Sequence, residues 1–208
     1  SQTIPSVELT EVFRQAKESM IIVNAHRINK GELPLTGEKK SDFFFMEKKS
    51  SSKIAELVVE LVSKRLPEYY KLSPNSIQVL SPMRKSEAGV FNLNLLLQEA
   101  LNPARQGKRE HKAGNRTFRT GDRVMHIKNN YEKTWENLEE NISGEGIFNG
   151  DMGYVDFIEP IEKNLYIQFD DGKRAEYDFT ELDQIEHAFA TTVHKSQGLT
   201  FDKAALDV

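Results

Sequence analysis

Strand-like and helix-like segments alternate along the first half of the chain, and this alternation constrains the fold more than any other feature. Short apolar runs typical of buried strands are followed by amphipathic patterns that repeat at helical spacing. Because parallel strands must be joined by crossovers, the alternation predicts an α/β domain with a mostly parallel, doubly wound sheet. The predicted order is a strand at 7–9, a helix at 11–29, a strand at 43–46, a helix from 51 that Pro67 ends, a strand at 77–80 and a helix at 90–101.

The alternation stops at Asn102 and resumes at residues 188–192, where another buried, strand-like run begins. Between these points, residues 103–115 are polar and basic and contain Gly107 and Gly114, which predicts a flexible linker. Short β-rich segments separated by turn signals then predict a small antiparallel barrel of about five strands. These segments lie at 117–118, 123–128, 153–158, 165–169 and 174–179. The acidic residues 134–146 between them are predicted to form a long mobile loop.

The barrel is therefore predicted to be an insertion, since the chain leaves the α/β sheet and later returns to it. Residues 1–115 form the first segment of the α/β domain, with residues 103–115 as its basic linker. Residues 116–186 form the inserted barrel, and residues 187–208 form the return segment. The predicted fold class is α/β, a parallel sheet with an inserted small antiparallel β-barrel.

The formal net charge of −4 hides a division between neighbouring segments. Residues 104–133 contain nine Lys or Arg against three acids, whereas residues 134–186 contain fifteen acids against three Lys or Arg. Overall acidity does not exclude nucleic-acid binding, because a local basic face is sufficient. The opposite charges could equally pair with each other across the fold, and both interpretations stay open.

Other residue types narrow the possible functions. The chain has no cysteine, which excludes disulfides and thiolate metal sites, and its five histidines lack ligand spacing, so no metal site is expected. No apolar run approaches the roughly 20 residues of a membrane span, so no membrane partner is expected. An intracellular, cytoplasmic location fits the absence of cysteine.

A dense polar turn lies between two apolar, strand-like segments at 188–192 and 204–208. The turn contains Thr191, Thr192, His194, Lys195, Ser196, Gln197 and Gly198. In a parallel sheet this turn would lie at the carboxyl edge, where open α/β sheets bind ligands. Residues 81–85 follow another predicted strand at the same edge, so both stretches are predicted to line one cleft. A solvated surface loop is the alternative interpretation of this turn.

Several separated motifs resemble the second motor domain of RecD-type superfamily-1 DNA helicases. They are LTEVFRQ at 9–15, QVLSPM at 78–83, LQEALNP at 97–103 and ATTVHKSQG at 190–198. Two further motifs, GDRVM at 121–125 and FNGDMG at 148–153, resemble the SH3-like barrel inserted in that domain. The resemblance covers nearly the whole chain, and its motifs occur in the expected order.

The resemblance implies a RecA-like parallel sheet with an inserted small antiparallel SH3-like β-barrel, forming one side of an ATP cleft and a track for single-stranded DNA. It assigns the catalytic contact with the γ-phosphate to Arg14, and nucleotide binding to Arg14, Gln15 and Gly198. It assigns contacts with the DNA backbone to Ser81, Thr192, His194, Lys195 and Ser196, with Asn149 and Arg123 extending the track.

Some expected family features are absent from these 208 residues. There is no G-x-x-x-x-G-K-[ST] phosphate loop and no acidic metal-binding motif, and the arginine-bearing motif expected later is not reached by Val208. Thr200 stands where relatives usually have Glu, which puts the nucleotide contacts there in question. The loop at 134–146 also looks longer than in the family.

These observations lead to the expectation that the chain is a fragment of an ATP-dependent DNA helicase. The full-length parent would use ATP and Mg²⁺, whereas the fragment alone would require no cofactor and would not hydrolyse ATP. Its expected partners are single-stranded DNA and the missing N-terminal RecA-like domain of the same parent chain. Two alternatives are a non-catalytic module that binds nucleic acid or protein through the barrel, and a purely structural domain.

Overall fold

The structure is a computed structural model that describes residues 19–37, 41–197 and, for the backbone, 203–206. The chain divides into two compact units, residues 1–48 and 49–208. Arg14, Gln15, Gly198 and Thr200 lie outside the described residues, as does the predicted strand at 7–9. In the described residues, no helix is both long and apolar enough to cross a membrane, and no group of three or more potential ligand side chains could hold a metal ion.

The first unit contains helix α1 (Met20–Asn29), which overlaps the end of the predicted helix at 11–29. Its N-terminus is capped by Asp42, which accepts hydrogen bonds from the Met20 N–H at 2.7 Å and the Ser19 hydroxyl at 2.6 Å. The predicted strand at 43–46 is wrong, because these residues form no strand and Phe44 and Phe45 are 61% and 57% exposed. A run of large apolar residues indicates burial only where other strands pair with its backbone.

The second unit opens with one continuous helical stretch, made of α2 (Ser51–Glu60), a π-helical turn (Leu61–Arg65) and α3 (Leu66–Tyr70). Pro67 was expected to end this helix, and that prediction is wrong. The π turn makes the Leu66 N–H donate to Leu61 O, five residues back, so Pro67 enters α3 in its first turn, where a missing N–H costs little. The helix ends instead at Lys71, whose φ is 54°.

Among the described residues, the remaining elements of this unit are one α-helix, α4 (Val90–Leu101), two short 3-10 helices (Pro74–Ser76 and Phe179–Gln184) and twelve strands. The strands are β1 (Ile77–Ser81), β2 (Glu110–Ala113), β3 (Arg116–Arg119), β4 (Arg123–His126), β5 (Asn130–Asn137), β6 (Ile142–Ile147), β7 (Met152–Glu159), β8 (Asn164–Phe169), β9 (Arg174–Asp178), β10 (Ile185–His187), β11 (Ala190–Thr192) and β12 (Lys203–Leu206).

A parallel sheet follows the predicted α/β alternation. Over the described residues it contains three strands in the order β11–β1–β12, and both outer strands run parallel to β1. Helices α2 and α4 contribute to its core with Val58, Leu93 and Leu97, which pack with Val79 of β1 and Ala190 of β11. Burial on both faces agrees with β1, where four of the five residues are buried.

An antiparallel sheet occupies the middle of the chain. Within the described part it has seven strands in the order β10–β4–β7–β8–β9–β5–β6, with β2 and β3 forming a separate hairpin. Strands occur at all five places where short β segments were predicted. Its core includes Phe118, Val155, Leu165, Ile167 and Tyr177, each at most 1% exposed.

Two segments predicted to be flexible are ordered. Residues 134–146, expected to be a mobile loop, belong to the β5–β6 hairpin, and the 103–115 linker contains strand β2. Asn137 stabilises the hairpin turn by accepting from the N–H groups of Glu139 and Glu140 at 3.1 and 3.2 Å. Trp135 packs against the core, and buried and exposed side chains alternate along this part of β5. The many acidic residues of the hairpin made this alternation hard to recognise in the sequence.

A buried polar cluster, which we call the Asp122 cluster, joins α4 to the antiparallel sheet. Asp122 is fully buried, and its carboxylate accepts from Gln98 Nε2 at 2.6 Å, Asn102 Nδ2 at 2.7 Å and the Arg119 N–H at 2.7 Å. His187 Nε2 lies 3.2 Å from the same carboxylate. Charge-assisted bonds of this kind fix the position of α4 relative to β10.

The first residue of β11, Ala190, is held by α4 as well. The amide of Asn94 donates to Ala190 O at 2.9 Å, and its oxygen accepts from the Ala190 N–H at 2.9 Å. This side chain therefore satisfies the backbone of Ala190 as a neighbouring strand would. The strand that leads into the polar turn is therefore fixed at its first residue.

A second buried titratable group lies in the core of the antiparallel sheet. His126 is 0% exposed, and its Nδ1 lies 3.1 Å from the hydroxyl of Tyr177. Its other ring nitrogen has no hydrogen-bond partner in the described part of the chain. Burial lowers the pKa of His126 to about 4, because a charged imidazole would lose its hydration.

Candidate nucleic-acid interface

The polar turn that follows β11 is folded on itself by local hydrogen bonds. The Lys195 N–H donates to Thr192 Oγ1 at 3.2 Å, and the Ser196 N–H donates to Thr192 O at 3.1 Å. Ser196 Oγ donates to Val193 O at 2.8 Å. His194 is exposed, and Lys195 and Ser196 are partly exposed. The turn therefore presents an imidazole and an ammonium group on a short, preformed loop.

Ser81 lies beside this turn, as the sequence predicted for the two carboxyl ends. It is the register partner of Thr192, and the Val193 N–H donates to Ser81 O at 3.3 Å. Its side chain, however, is 0% exposed, and its hydroxyl bonds Ala88 O at 3.0 Å. Ser81 is thus placed at the right edge, but its hydroxyl holds the following loop and does not face solvent.

The loop at 82–89 brings Arg84 to the same edge. The N–H groups of Val90 and Phe91 donate to Met83 O and Arg84 O at 3.0 and 3.3 Å. Gly89 makes this close turn possible, because a Cβ there would lie 2.8 Å from Arg84 O and 2.7 Å from the Ser86 nitrogen. The Arg84 guanidinium also lies 5.4 Å from the centre of the Phe91 ring.

Glu186 of β10 connects the two cations at this edge. Its Oε2 lies 2.9 Å from Lys195 Nζ, and its Oε1 lies 3.7 Å from Arg84 Nη2. All three side chains line one small cavity, together with Thr191 and Thr192. We call this group, Arg84, Glu186, Thr191, Thr192 and Lys195, the edge cluster.

The two residues expected to extend the track are placed differently. Asn149 is exposed in the turn between β6 and β7, where its N–H donates to Asn129 Oδ1 at 3.0 Å. Arg123 forms two hydrogen bonds of 2.6 Å with the carboxylate of Asp170 and lies beside a cavity lined by Ile77, the first residue of β1. Arg123 is therefore near the start of β1, whereas Ser81 ends that strand, so Arg123 is not part of the edge cluster.

The nucleotide-binding assignments are not addressed by this arrangement, because Arg14, Gln15 and Gly198 lie outside the described residues. Sequence reasoning missed one member of the edge cluster, Glu186, because it is one of fifteen acids in an acidic segment. Arg84 and Thr191 lie in the two stretches that were predicted to line the cleft, although neither was assigned a contact with DNA.

Comparison with known proteins agrees with the motifs. Residues 93–169 match the family described as the ATP-dependent RecD-like DNA helicase SH3 domain. The ATP-dependent RecD2 DNA helicase of Deinococcus radiodurans is 32% identical over 198 residues, which are 95% of this chain and 24% of that protein. This chain is related to the RecD-type DNA helicases. The resemblance predicted from its motifs is confirmed.

Other relatives are more distant from this RecD-like chain. An uncharacterized protein of Methanocaldococcus jannaschii is 30% identical over 145 residues, 64% of this chain and 12% of that protein. The chain thus spans a quarter or less of these curated relatives. The Pif1 helicase from Bacteroides in complex with ADP-AlF3 and ssDNA has a TM-score of 0.49 and 20% identity, covering 97% of this chain and 46% of that one. Pif1 from Candida albicans has a TM-score of 0.47 and 16% identity, covering 95% and 49%.

The RecD-like motifs divide into structural residues and edge residues. The LQEALNP and GDRVM motifs meet in the Asp122 cluster through Gln98, Asn102 and Asp122. The SPM and ATTVHKSQG motifs meet at the carboxyl edge through Ser81 and Thr192. In each of these two pairs, the two motifs are therefore in contact with each other in the folded chain.

Proposed function

We propose that this chain is a segment of the motor of an ATP-dependent DNA helicase, and that its carboxyl edge binds the backbone of single-stranded DNA. One observation supports this most strongly: the Arg84 loop and the 192–197 turn lie side by side at the carboxyl ends of adjacent parallel strands. In this proposal the parallel sheet is RecA-like, and the antiparallel sheet is the inserted SH3-like barrel.

At this edge, Thr192, His194, Lys195 and Ser196 would contact phosphates through short hydroxyl and cationic donors. Such contacts position a strand without reading its bases. Ser81 would act indirectly, because its buried hydroxyl holds the loop that carries Arg84. Asn149 would extend the track from the antiparallel sheet, and Arg123 is left out because it is paired with Asp170 elsewhere.

The ATP cleft would be completed by a second RecA-like domain of the parent chain. Arg14 is proposed to stabilise the charge on the transferring γ-phosphate, with Gln15 and Gly198 beside the nucleotide. ATP and Mg²⁺ would be held mainly by the other domain, since these 208 residues contain no G-x-x-x-x-G-K-[ST] loop. Closure of the cleft around ATP and its reopening would then move this segment along one strand.

A phosphate-release assay tests whether ATP hydrolysis requires the other RecA-like domain of the parent protein. With saturating single-stranded DNA, we expect no turnover above background from this chain and DNA-stimulated turnover from the parent protein. Turnover by this chain alone would contradict the proposal.

A barrel-only binding module is disfavoured because the similarity to an ATP-dependent helicase extends over 95% of the chain. That alternative predicts that a chain lacking residues 117–179 keeps a folded α/β part but loses all DNA binding.

Replacing Lys195 with alanine is expected to weaken binding of a short oligothymidylate about three- to tenfold at low salt. The logarithmic salt dependence should also become shallower by about 0.7, the value for one lost phosphate contact with a single strand. Fluorescence anisotropy titrations at several salt concentrations measure both quantities. Lys64→Ala, which removes the same charge from an exposed helical position, is the matched control. Equal affinities of the two variants would show that Lys195 is not on the track.

A further inference from the structure

Glu186 neutralises the cations that the proposed DNA site needs. Its two carboxylate oxygens face different partners, Lys195 Nζ at 2.9 Å and Arg84 Nη2 at 3.7 Å. The Lys195 and Glu186 side chains are each 25% exposed, and that of Arg84 is 55% exposed. A carboxylate held between two cations presents two anionic oxygens, as a phosphodiester does.

The position of Glu186 is fixed by the backbone. It lies on β10 opposite Met125 of β4, and Met125 lines the same cavity as Lys195 and Arg84. Strands β10 and β11 follow each other in the chain, and Lys195 lies in the turn after β11, nine residues from Glu186. The carboxylate is therefore built into the site and is not contributed by a distant segment.

An unpartnered hydroxyl lies in the same cavity. Thr191 is 3% exposed, and its Oγ1 has no hydrogen-bond partner in the part of the chain that the structure describes. A buried hydroxyl without a partner is unfavourable, so an acceptor that enters the cavity would gain a hydrogen bond from it. Together with the two cations, it provides a third donor for an oxyanion.

We propose that the edge cluster is a binding site for one backbone phosphate of a single strand, and that Glu186 occupies the phosphate position in the free chain. On binding, the phosphate replaces the carboxylate between Arg84 and Lys195, and Thr191 Oγ1 donates to it. The ion pairs are partly exposed and hence weak, so a strand with several phosphates displaces Glu186. This inference rests on the proposed function of the edge.

The carboxylate has a functional consequence in this arrangement. Each strand that binds must displace Glu186, which lowers affinity and speeds release. A motor that steps along DNA must release each contact quickly. Differences in affinity between related complexes lie mostly in the dissociation rate, so weaker binding means faster release. Glu186 would thus keep the affinity for the DNA strand low enough for this segment to release the strand and move along it.

Replacing Glu186 with glutamine tests the competition directly. Glu186→Gln keeps the shape but removes the charge, and we expect it to bind a fluorescein-labelled oligothymidylate about three- to tenfold more tightly at low salt. Glu136→Gln is the matched control, because Glu136 is a partly exposed acid that pairs with Arg174 and its replacement changes net charge equally. The control should bind within about twofold of wild type. Equal gains in both variants, or weaker binding by Glu186→Gln, would overturn the inference.

Replacing Thr191 with valine provides an independent readout. Because valine removes an unpartnered hydroxyl and keeps the shape, the melting temperature should stay equal or rise while affinity for the oligothymidylate falls severalfold. Unchanged affinity would remove Thr191 from the site. If wild type binds no single strand at all, the proposed function fails. If wild type binds and Glu186→Gln matches its control, the function stands and only this inference fails.

Discussion

Replacing Asp122 with alanine is expected to lower the free energy of unfolding by about 3–5 kcal/mol, the range for removing one member of a buried charged network. The change removes the acceptor that Gln98, Asn102 and the Arg119 N–H share, and leaves Gln98 Nε2 with Thr117 O and Asn102 Nδ2 with Thr120 O. Because Asp122 is 0% exposed, water does not replace the lost bonds. Urea denaturation followed by circular dichroism measures the loss.

Two control variants separate the buried network from the loss of an acid as such. Asp156→Ala removes a carboxylate that is about half exposed and pairs with Arg174, and its effect should stay below about 1 kcal/mol. Asp122→Asn keeps the volume but introduces an amide donor toward other donors, so its effect should be intermediate. A loss below about 1 kcal/mol for Asp122→Ala would contradict the structural role of the cluster.

Lowering the pH from about 6.5 to about 4 is expected to destabilise the fold through His126. The pKa of His126 is about 4 in the folded protein, whereas an unfolded histidine titrates near 6.5. The unfolded chain therefore takes up the proton first, and stability that is present above pH 6.5 is lost as the pH falls toward 4. A difference of this size corresponds to at most about 3 kcal/mol.

The slope of stability against pH distinguishes His126 from the many carboxylates. In His126→Gln, the unfolding free energy should change less between pH 6.5 and pH 5 than in wild type, whatever its absolute value. His26→Gln, which removes an exposed histidine, is the control for the loss of a histidine as such. Identical slopes in wild type and His126→Gln would mean that this imidazole takes up its proton equally in the folded and unfolded states, which would contradict the lowered pKa.

The parallel strands could be predicted from the sequence because their signal is local. Residues 77–80 and 188–192 are mostly apolar; the first run lies on β1, and the second ends in β11. The run at 43–46 has the same local pattern but forms no strand. Apolar content alone does not distinguish these cases, since pairing depends on partners elsewhere in the chain.

Errors in the helical and acidic segments have specific causes. Pro67 was expected to end a helix, but a π turn places it where no backbone donor is needed. The acidity of residues 134–146 suggested a loop, although the buried Asn137 and the half-buried Trp135 anchor a hairpin there. In both cases the deciding contact is a tertiary or backbone feature that residue composition does not reveal.

The edge of the sheet was predicted better than the roles of its residues. The register pairing of Ser81 with Thr192 agrees with the expectation that two strand ends meet. The burial of Ser81, the pairing of Arg123 with Asp170 and the position of Glu186 between two cations depend on side-chain contacts that form only in the folded chain. Motif spacing contains no information about such contacts.

Salt-dependent binding of single-stranded DNA tests the proposed edge most directly. Anisotropy titrations of the unmodified chain would use oligothymidylate and a mixed-sequence strand of about 15 nucleotides, at salt concentrations from about 50 to 200 mM. We expect similar affinities for both sequences, and a logarithmic slope of about −2 to −3 if three or four phosphates are contacted. No binding at the lowest salt, or binding that depends on sequence and not on salt, would contradict a backbone-binding edge.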